Sequence, residues 1–250
     1  MVNHSLTWSL PPADLVLSSN DVHVLCASLE QPTPLVQQLA QTLSEDERIR
    51  GDRFYFERDR TRFIVGRGLL RTILGRYANI EPKQLQFCYG SRGKPALTNT
   101  VTGGMLHFNL SHSQGLALYA VTRDRQIGID IEHMRQTSDV EQLAKRFFSN
   151  REYTVIRSLP SSQKQEAFFN GWTRKEAYLK ATGEGLAQLE QIEVSLAPGE
   201  PARLLSIAKD PQASARWSLK TLTPAVDYVA ALAVEGQDWH LTCWQWSTEG

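Results

Sequence analysis

Apolar and polar positions alternate strictly along Ile127-Gly128-Ile129-Asp130-Ile131-Glu132, which predicts a strand with three isoleucines on one face and both carboxylates on the other. Two stretches change period from two to about 3.6. Arg60 to Tyr77 carries a core stripe of Phe63, Ile64, Leu69, Leu70, Ile73 and Leu74, and Glu166 to Thr182 reads as a second long helix. Apolar runs rich in β-formers follow each, at Leu106 to Thr122 and at Trp217 to Val234. Each run reads as a hairpin, turning at Ser113-Gln114-Gly115 and at Thr223-Pro224. Ahead of them the pattern predicts a strand at Asp21 to Ser28 and a helix from Pro34 to Leu43. A capping-box start at Ser44-Glu45-Asp46-Glu47 opens a further helix that runs through Arg53 and Phe56.

The two halves thus read alike, and Gly115 to Val121 is matched by Tyr228 to Val234. This predicts a duplicated α/β unit, with residues 1–124 and 125–250 as the halves and the seam near Arg123 to Gln126. No low-complexity block suggests a flexible tether between them.

Composition narrows the field. With 250 residues and 41% hydrophobic content the chain can fill a sizeable core. Its 27 basic and 27 acidic residues cancel, which argues against coating nucleic acid or an anionic membrane. Cys26, Cys88 and Cys243 are widely spaced, so reduced thiols in a cytoplasmic protein are expected. The longest apolar stretch, Val229 to Val234, is far too short to span a bilayer, and no secretory leader is expected. Local charge is uneven, since arginines 48, 50, 53, 58, 60, 62, 67, 71 and 76 outnumber the acids among them and predict a basic patch.

Candidate chemistry lies on the Asp130 strand and the second long helix. In Trp172-Thr173-Arg174-Lys175-Glu176-Ala177-Tyr178-Leu179-Lys180, helical spacing puts Trp172, Glu176 and Lys180 on one stripe. If strand and helix meet, Asp130, Glu132 and Glu176 form an acidic cluster beside an ammonium. Two carboxylates 4 Å apart repel by roughly 4 kcal/mol at an effective dielectric near 20, so such a trio must protonate, disperse or hold a cation. An all-oxygen donor set suits Mg²⁺ rather than zinc. Taken alone, Glu176 with Lys180 is also an ordinary helix-surface pair worth about 0.3–0.5 kcal/mol. His112 in a hairpin turn reads as solvated, and Ser91-Arg92-Gly93-Lys94-Pro95 reads as a turn that could meet an anion.

These segments resemble the Sfp-type 4'-phosphopantetheinyl transferases, which show a Gly-Ile-Asp-Ile-Glu strand followed by a Trp-x-x-Lys-Glu-x-x-x-Lys helix. Arg62 with Gly66, Gly93-Lys94-Pro95 and Phe108-Asn109-Leu110-Ser111-His112-Ser113 match upstream in the family's order, over roughly residues 44 to 186. The resemblance implies an α+β chain built as a pseudo-twofold pair of α/β halves with coenzyme A in the cleft between them. It implies transfer of phosphopantetheine from coenzyme A to a serine of an apo acyl, polyketide or peptidyl carrier protein, leaving 3',5'-ADP, by a cytoplasmic monomer. By position, Asp130, Glu132 and Glu176 would hold Mg²⁺, with Asp130, Glu176 and Lys180 catalytic. Lys175 and Lys180 would contact phosphate, Arg62 and His112 would grip the 3'-phosphate, and Lys94, Pro95 and Ser111 would border the adenine. The family usually places two basic residues a turn apart before the segment matched by Arg53-Phe54-Tyr55; the later falls on Arg50 and the earlier on Glu47. The arginines would complement an acidic carrier, and Phe147-Phe148 offer either an apolar docking edge or core. A coenzyme A-binding module without turnover and a metal-dependent nucleotide phosphohydrolase are the competing readings of the same residues.

Overall fold

The computed structural model describes residues 7–98, 101, 103–135, 139–208 and 210–247, apart from the side chains of residues 186–188. The first series of elements is β1 (Asp21–Ser28), α1 (Thr33–Ala40), α2 (Glu45–Gly51), α3 (Glu57–Ala78), β2 (Phe87–Tyr89), β3 (Pro95–Leu97), β4 (Leu106–Ser113) and β5 (Leu116–Arg123). The second series is β6 (Ile127–His133), α4 (Val140–Phe147), α5 (Asn150–Ser158), α6 (Ser161–Thr182), β7 (Ile192–Val194), β8 (Leu204–Ile207), α7 (Ala213–Arg216), β9 (Trp217–Leu222) and β10 (Tyr228–Glu235). A last strand, β11 (His240–Gln245), closes the chain.

The two series share a plan. In the first, β1 pairs antiparallel with β5, the second arm of the β4–β5 hairpin; in the second, β6 pairs antiparallel with β10, the second arm of β9–β10. Each contains one 22-residue helix, α3 or α6, and one two-stranded ribbon, β2–β3 or β7–β8. The expected hairpins form where the turn residues put them, with Gln114 and Asp227 at positive φ in the two connections.

One strand crosses from the second series to the first. β11 leaves the second half and pairs in parallel with β1, giving the sheet order β11-β1-β5-β4 against β6-β10-β9. Without it the outer edge of β1 would expose a row of unpaired backbone groups. Trp244 and Trp246 accompany it into the core beneath α3, beside Leu69, Leu70 and Ile73.

The sheets are packed face to face, and β1 and β5 are buried on both faces. Leu25 and Ala27 point toward α3, whereas Val22, Val24 and Cys26 meet Ile127, Ile129, Ile131, Ala230 and Leu232 of the other sheet. Each such aliphatic side chain contributes about 1.5–3 kcal/mol of burial. The halves therefore share one apolar layer.

The helix expected to run through Arg53 and Phe56 stops at Gly51, and α3 begins only at Glu57. Phe54 turns back to pack at a tilt against Phe63, ring centroids 5.3 Å apart, and Asp52 binds Arg60 at 2.9 Å, so the chain reverses between the helices.

Candidate active site

The site is built on the meeting of two sheet edges. β4 and β6 are the facing edge strands, and polar side chains at alternate positions of β4 span the gap. Asn109 Oδ1 accepts from the backbone N–H of Ile129 at 2.9 Å, and Ser113 Oγ accepts from that of His133 at 3.1 Å. Ser111 Oγ donates to Asp130 Oδ1 at 2.9 Å, and Ser113 Oγ donates to Glu132 Oε2 at 3.0 Å. The period-two spacing of Asn109, Ser111 and Ser113 was a readable signal of this polar face.

α6 lies against β6. A Cβ on Gly128 would stand 2.0 Å from the Ala177 carbonyl oxygen and 2.4 Å from the Ala181 nitrogen, so only glycine admits the helix at this distance. Between Thr173 and Ala181 every residue of α6 is buried except Glu176 and Lys180, which with Trp172 one turn earlier form the partly open stripe. That stripe faces Asp130 and Glu132 across a cleft also lined by Leu110, Ser111 and His112. The structure thus brings Asp130, Glu132, Glu176, Lys180, Ser111 and His112 to one place.

Lys180 ties strand to helix. Its Nζ donates to Asp130 Oδ1 at 2.7 Å and to Ser111 Oγ at 2.8 Å. Asp130 is 3% exposed, and its Oδ2 has no hydrogen-bond partner. Burial first, then the Asp130 charge, raises the Glu176 carboxyl to about 7; the same two causes raise Glu132. Partial desolvation in the cleft, then the Lys180 and Arg62 cations, lowers the His112 imidazole.

The carboxylates are not drawn together into a ready-made metal site. Among the described residues, no three carboxylate, imidazole or thiol groups stand close enough to hold one ion. Asp130 and Glu132 instead spend oxygens on Lys180, Ser111 and Ser113. The chemistry of the donor set would nevertheless suit a hard cation: three carboxylates line one cleft, and Asp130 Oδ2 is buried without a partner.

The ammonium groups of Lys175 and Lys94 have partners inside the protein. Lys175 does not reach the cleft: its ammonium is fully buried, 2.5 Å from Glu152 Oε2 and 2.8 Å from the Leu189 carbonyl oxygen, over the Phe148 ring. One residue of helix rotation turns it about 100° away from Glu176. Lys94 likewise spends its Nζ within the protein, donating to the Ala181 carbonyl oxygen at 2.6 Å at the end of α6. It fastens the first half to α6.

Pro95, Arg50, Arg62 and His112 line a second cavity, joined by Arg67, Tyr89 and Gly93. It adjoins the carboxylate cleft, since Leu110 and His112 line both. Arg67 was not among the expected site residues. Glu47 explains its position: Oε1 accepts from Arg67 Nη2 at 2.6 Å, and Oε2 accepts from Arg71 Nε at 2.6 Å. The basic patch is correspondingly smaller than the arginine count suggested, because Arg67 and Arg71 are buried and Arg60 is paired with Asp52 and Glu57. Phe148 belongs to the core, stacked on Phe168, while Phe147 packs edge-on against Trp172.

Comparison with known proteins agrees along most of the chain. The family description "4'-phosphopantetheinyl transferase, N-terminal" matches residues 31–123, and "4'-phosphopantetheinyl transferase superfamily" matches residues 126–233. The chain is 52% identical over 246 residues to 4'-phosphopantetheinyl transferase HetI of Nostoc sp., covering 98% of this chain and 100% of that protein. It is 37% identical over 154 residues to a putative 4'-phosphopantetheinyl transferase of Synechocystis sp., covering 62% of each. To 4'-phosphopantetheinyl transferase Sfp of Bacillus subtilis it is 31% identical over 145 residues, 58% of this chain and 62% of that one.

Proposed function

The chain belongs to the 4'-phosphopantetheinyl transferase family, of the Sfp type, and on that premise we propose that its cleft moves the 4'-phosphopantetheine group of coenzyme A onto a serine hydroxyl of an apo carrier protein. The observation that carries this reading is the Trp172, Glu176 and Lys180 stripe facing Asp130 and Glu132, in a stretch of α6, Ala167 to Ala181, whose other residues are all buried. A helix kept only for packing has no need of that combination.

The nucleophile comes from the partner, so this chain must supply a base, a charge sink and a binding surface. Glu176, a carboxylate on the open face of the cleft, takes the serine proton. The serine oxygen bonds to the phosphorus bearing the pantetheine arm. The bond from that phosphorus to the bridging oxygen breaks, and the oxygen leaves with 3',5'-ADP. Lys180, already at the Asp130 carboxylate, offers an ammonium to the departing phosphate. Arg62, His112 and Arg50 bind the 3'-phosphate in the adjoining cavity, and Pro95 borders the adenine. Asp130, Glu132 and Glu176 would hold a Mg²⁺ ion, whose chemistry is neutralisation of pyrophosphate charge.

Both cleft walls come from one chain, which supports a monomeric enzyme. Three free cysteines support a cytoplasmic setting. Among the described residues no helix is long and apolar enough to cross a membrane.

The decisive experiment incubates the protein with coenzyme A, Mg²⁺ and a panel of apo fatty-acid, polyketide and peptide carriers, and weighs the carriers. A carrier heavier by one phosphopantetheine is expected. Binding of coenzyme A without any mass gain would leave a binding module, and release of phosphopantetheine without a carrier would make the chain a hydrolase.

A further inference from the structure

Arg62 is one of the groups that the functional reading gives to the 3'-phosphate, yet its guanidinium already has a partner. Nε and Nη2 both donate to a single oxygen, Glu30 Oε1, at 2.8 and 2.6 Å. Glu30 follows β1 directly, where its backbone N–H donates to Ser28 Oγ at 3.1 Å and its carbonyl accepts from the same hydroxyl at 3.2 Å. The turn after β4 confines the pair from the other side. A Cβ on Gly115 would lie 3.6 Å from Glu30 Cγ and 3.9 Å from Arg62 Nη2.

Glu30 reaches Arg62 from outside the cavity. Among the described residues the cavity lining holds Arg50, Arg62, Arg67 and His112 and no carboxylate. The Arg62 side chain is 21% exposed and that of Glu30 61% exposed, so the carboxylate is free to swing into solvent. A phosphate dianion is the stronger partner of a guanidinium, carrying more charge and room for two parallel hydrogen bonds. A ligand with a 3'-phosphate therefore takes Arg62 from Glu30, and a ligand without one meets an arginine already neutralised.

The geometry points to Glu30 as a specificity-determining residue that acts through Arg62, competing with the 3'-phosphate and so setting how strongly coenzyme A is preferred over its dephospho form. This rests on the reading of the cavity as the 3'-phosphate site. Glu30 touches no reacting atom.

Calorimetry on the full chain, with 3',5'-ADP and 5'-AMP as probes, tests it. Glu30→Gln should bind 3',5'-ADP about two- to fivefold more tightly, the scale of an exposed ion pair, and bind 5'-AMP as before. Its KM for coenzyme A should fall at constant kcat. In the Arg62→Met background the same substitution should change neither affinity. Arg62→Met by itself should bring 3',5'-ADP down toward 5'-AMP. If it does so while Glu30→Gln leaves 3',5'-ADP binding unchanged or weaker, the competition is wrong and the cavity reading stands. If Arg62→Met preserves the preference for 3',5'-ADP, the cavity reading fails and the role of Glu30 with it.

Discussion

Lys175 and Glu176 are consecutive on α6 and serve opposite sides of it: the Lys175 ammonium lies 2.5 Å from Glu152 in the core, while the Glu176 carboxyl opens on the cleft. Glu152 completes the arrangement by accepting from the Val194 and Ser149 backbone N–H groups at 2.9 Å each. The buried pair fixes the rotation of the helix that presents Glu176 to the cleft.

Lys175→Met should therefore cost stability, about 3–5 kcal/mol, because it strands the Glu152 carboxylate in the core. Urea denaturation measures it. Lys175→Met with Glu152→Gln should recover part of the loss; a single variant as stable as the parent would contradict the pairing.

Glu176→Gln removes the base and leaves the 3'-phosphate cavity intact. Carrier modification should slow by about 10²- to 10⁴-fold, and 3',5'-ADP should bind with unchanged affinity. Full transfer activity would reassign proton removal to another group.

Chelation with EDTA should stop transfer, and added Mg²⁺ should restore it. Asp130→Asn should raise the Mg²⁺ concentration for half-maximal rate by about tenfold or more. A variant that responds to Mg²⁺ like the parent would remove Asp130 from the ligand set.

His23 predicts acid sensitivity. Its Nδ1 lies 2.8 Å from the Tyr77 hydroxyl, the ring meets Trp244 edge-on, and burial lowers the imidazole from 6.5 to about 4 against a smaller opposing effect of Asp21. The folded chain keeps this ring neutral, whereas the unfolded chain protonates it below pH 6.5. Stability from this residue is complete above pH 6.5 and is lost as pH falls toward 4, by about 3 kcal/mol in all. Unfolding free energies of parent and His23→Gln should diverge across that window, and parallel curves would disprove the assignment.

Gly128→Ala should destabilise by about 1–3 kcal/mol or more, since the new methyl meets the α6 backbone rather than a movable side chain. Thermal unfolding of the variant checks this.

Much of the cleft was legible because its elements announce themselves locally. Strict alternation around Asp130 marks a strand, and the spacing of Trp172, Glu176 and Lys180 marks one helix face. The direction taken by Lys175 was not legible, since it depends on α5 bringing Glu152 alongside from a distant part of the chain. Arg67 and Arg71 misled for a related reason: arginine on a helix reads as solvated until a buried carboxylate such as Glu47 is found to receive it. The parallel pairing of β11 with β1 leaves no local trace at all, because such a pairing has no turn to signal it.

That last strand imposes an order on synthesis. Asp21 and Val22 emerge from the ribosome more than two hundred residues ahead of their partners His240 and Leu241, so the amino-terminal sheet must wait, one edge open, until β11 has been made. Loss of β11 would therefore injure the part of the molecule that was made first.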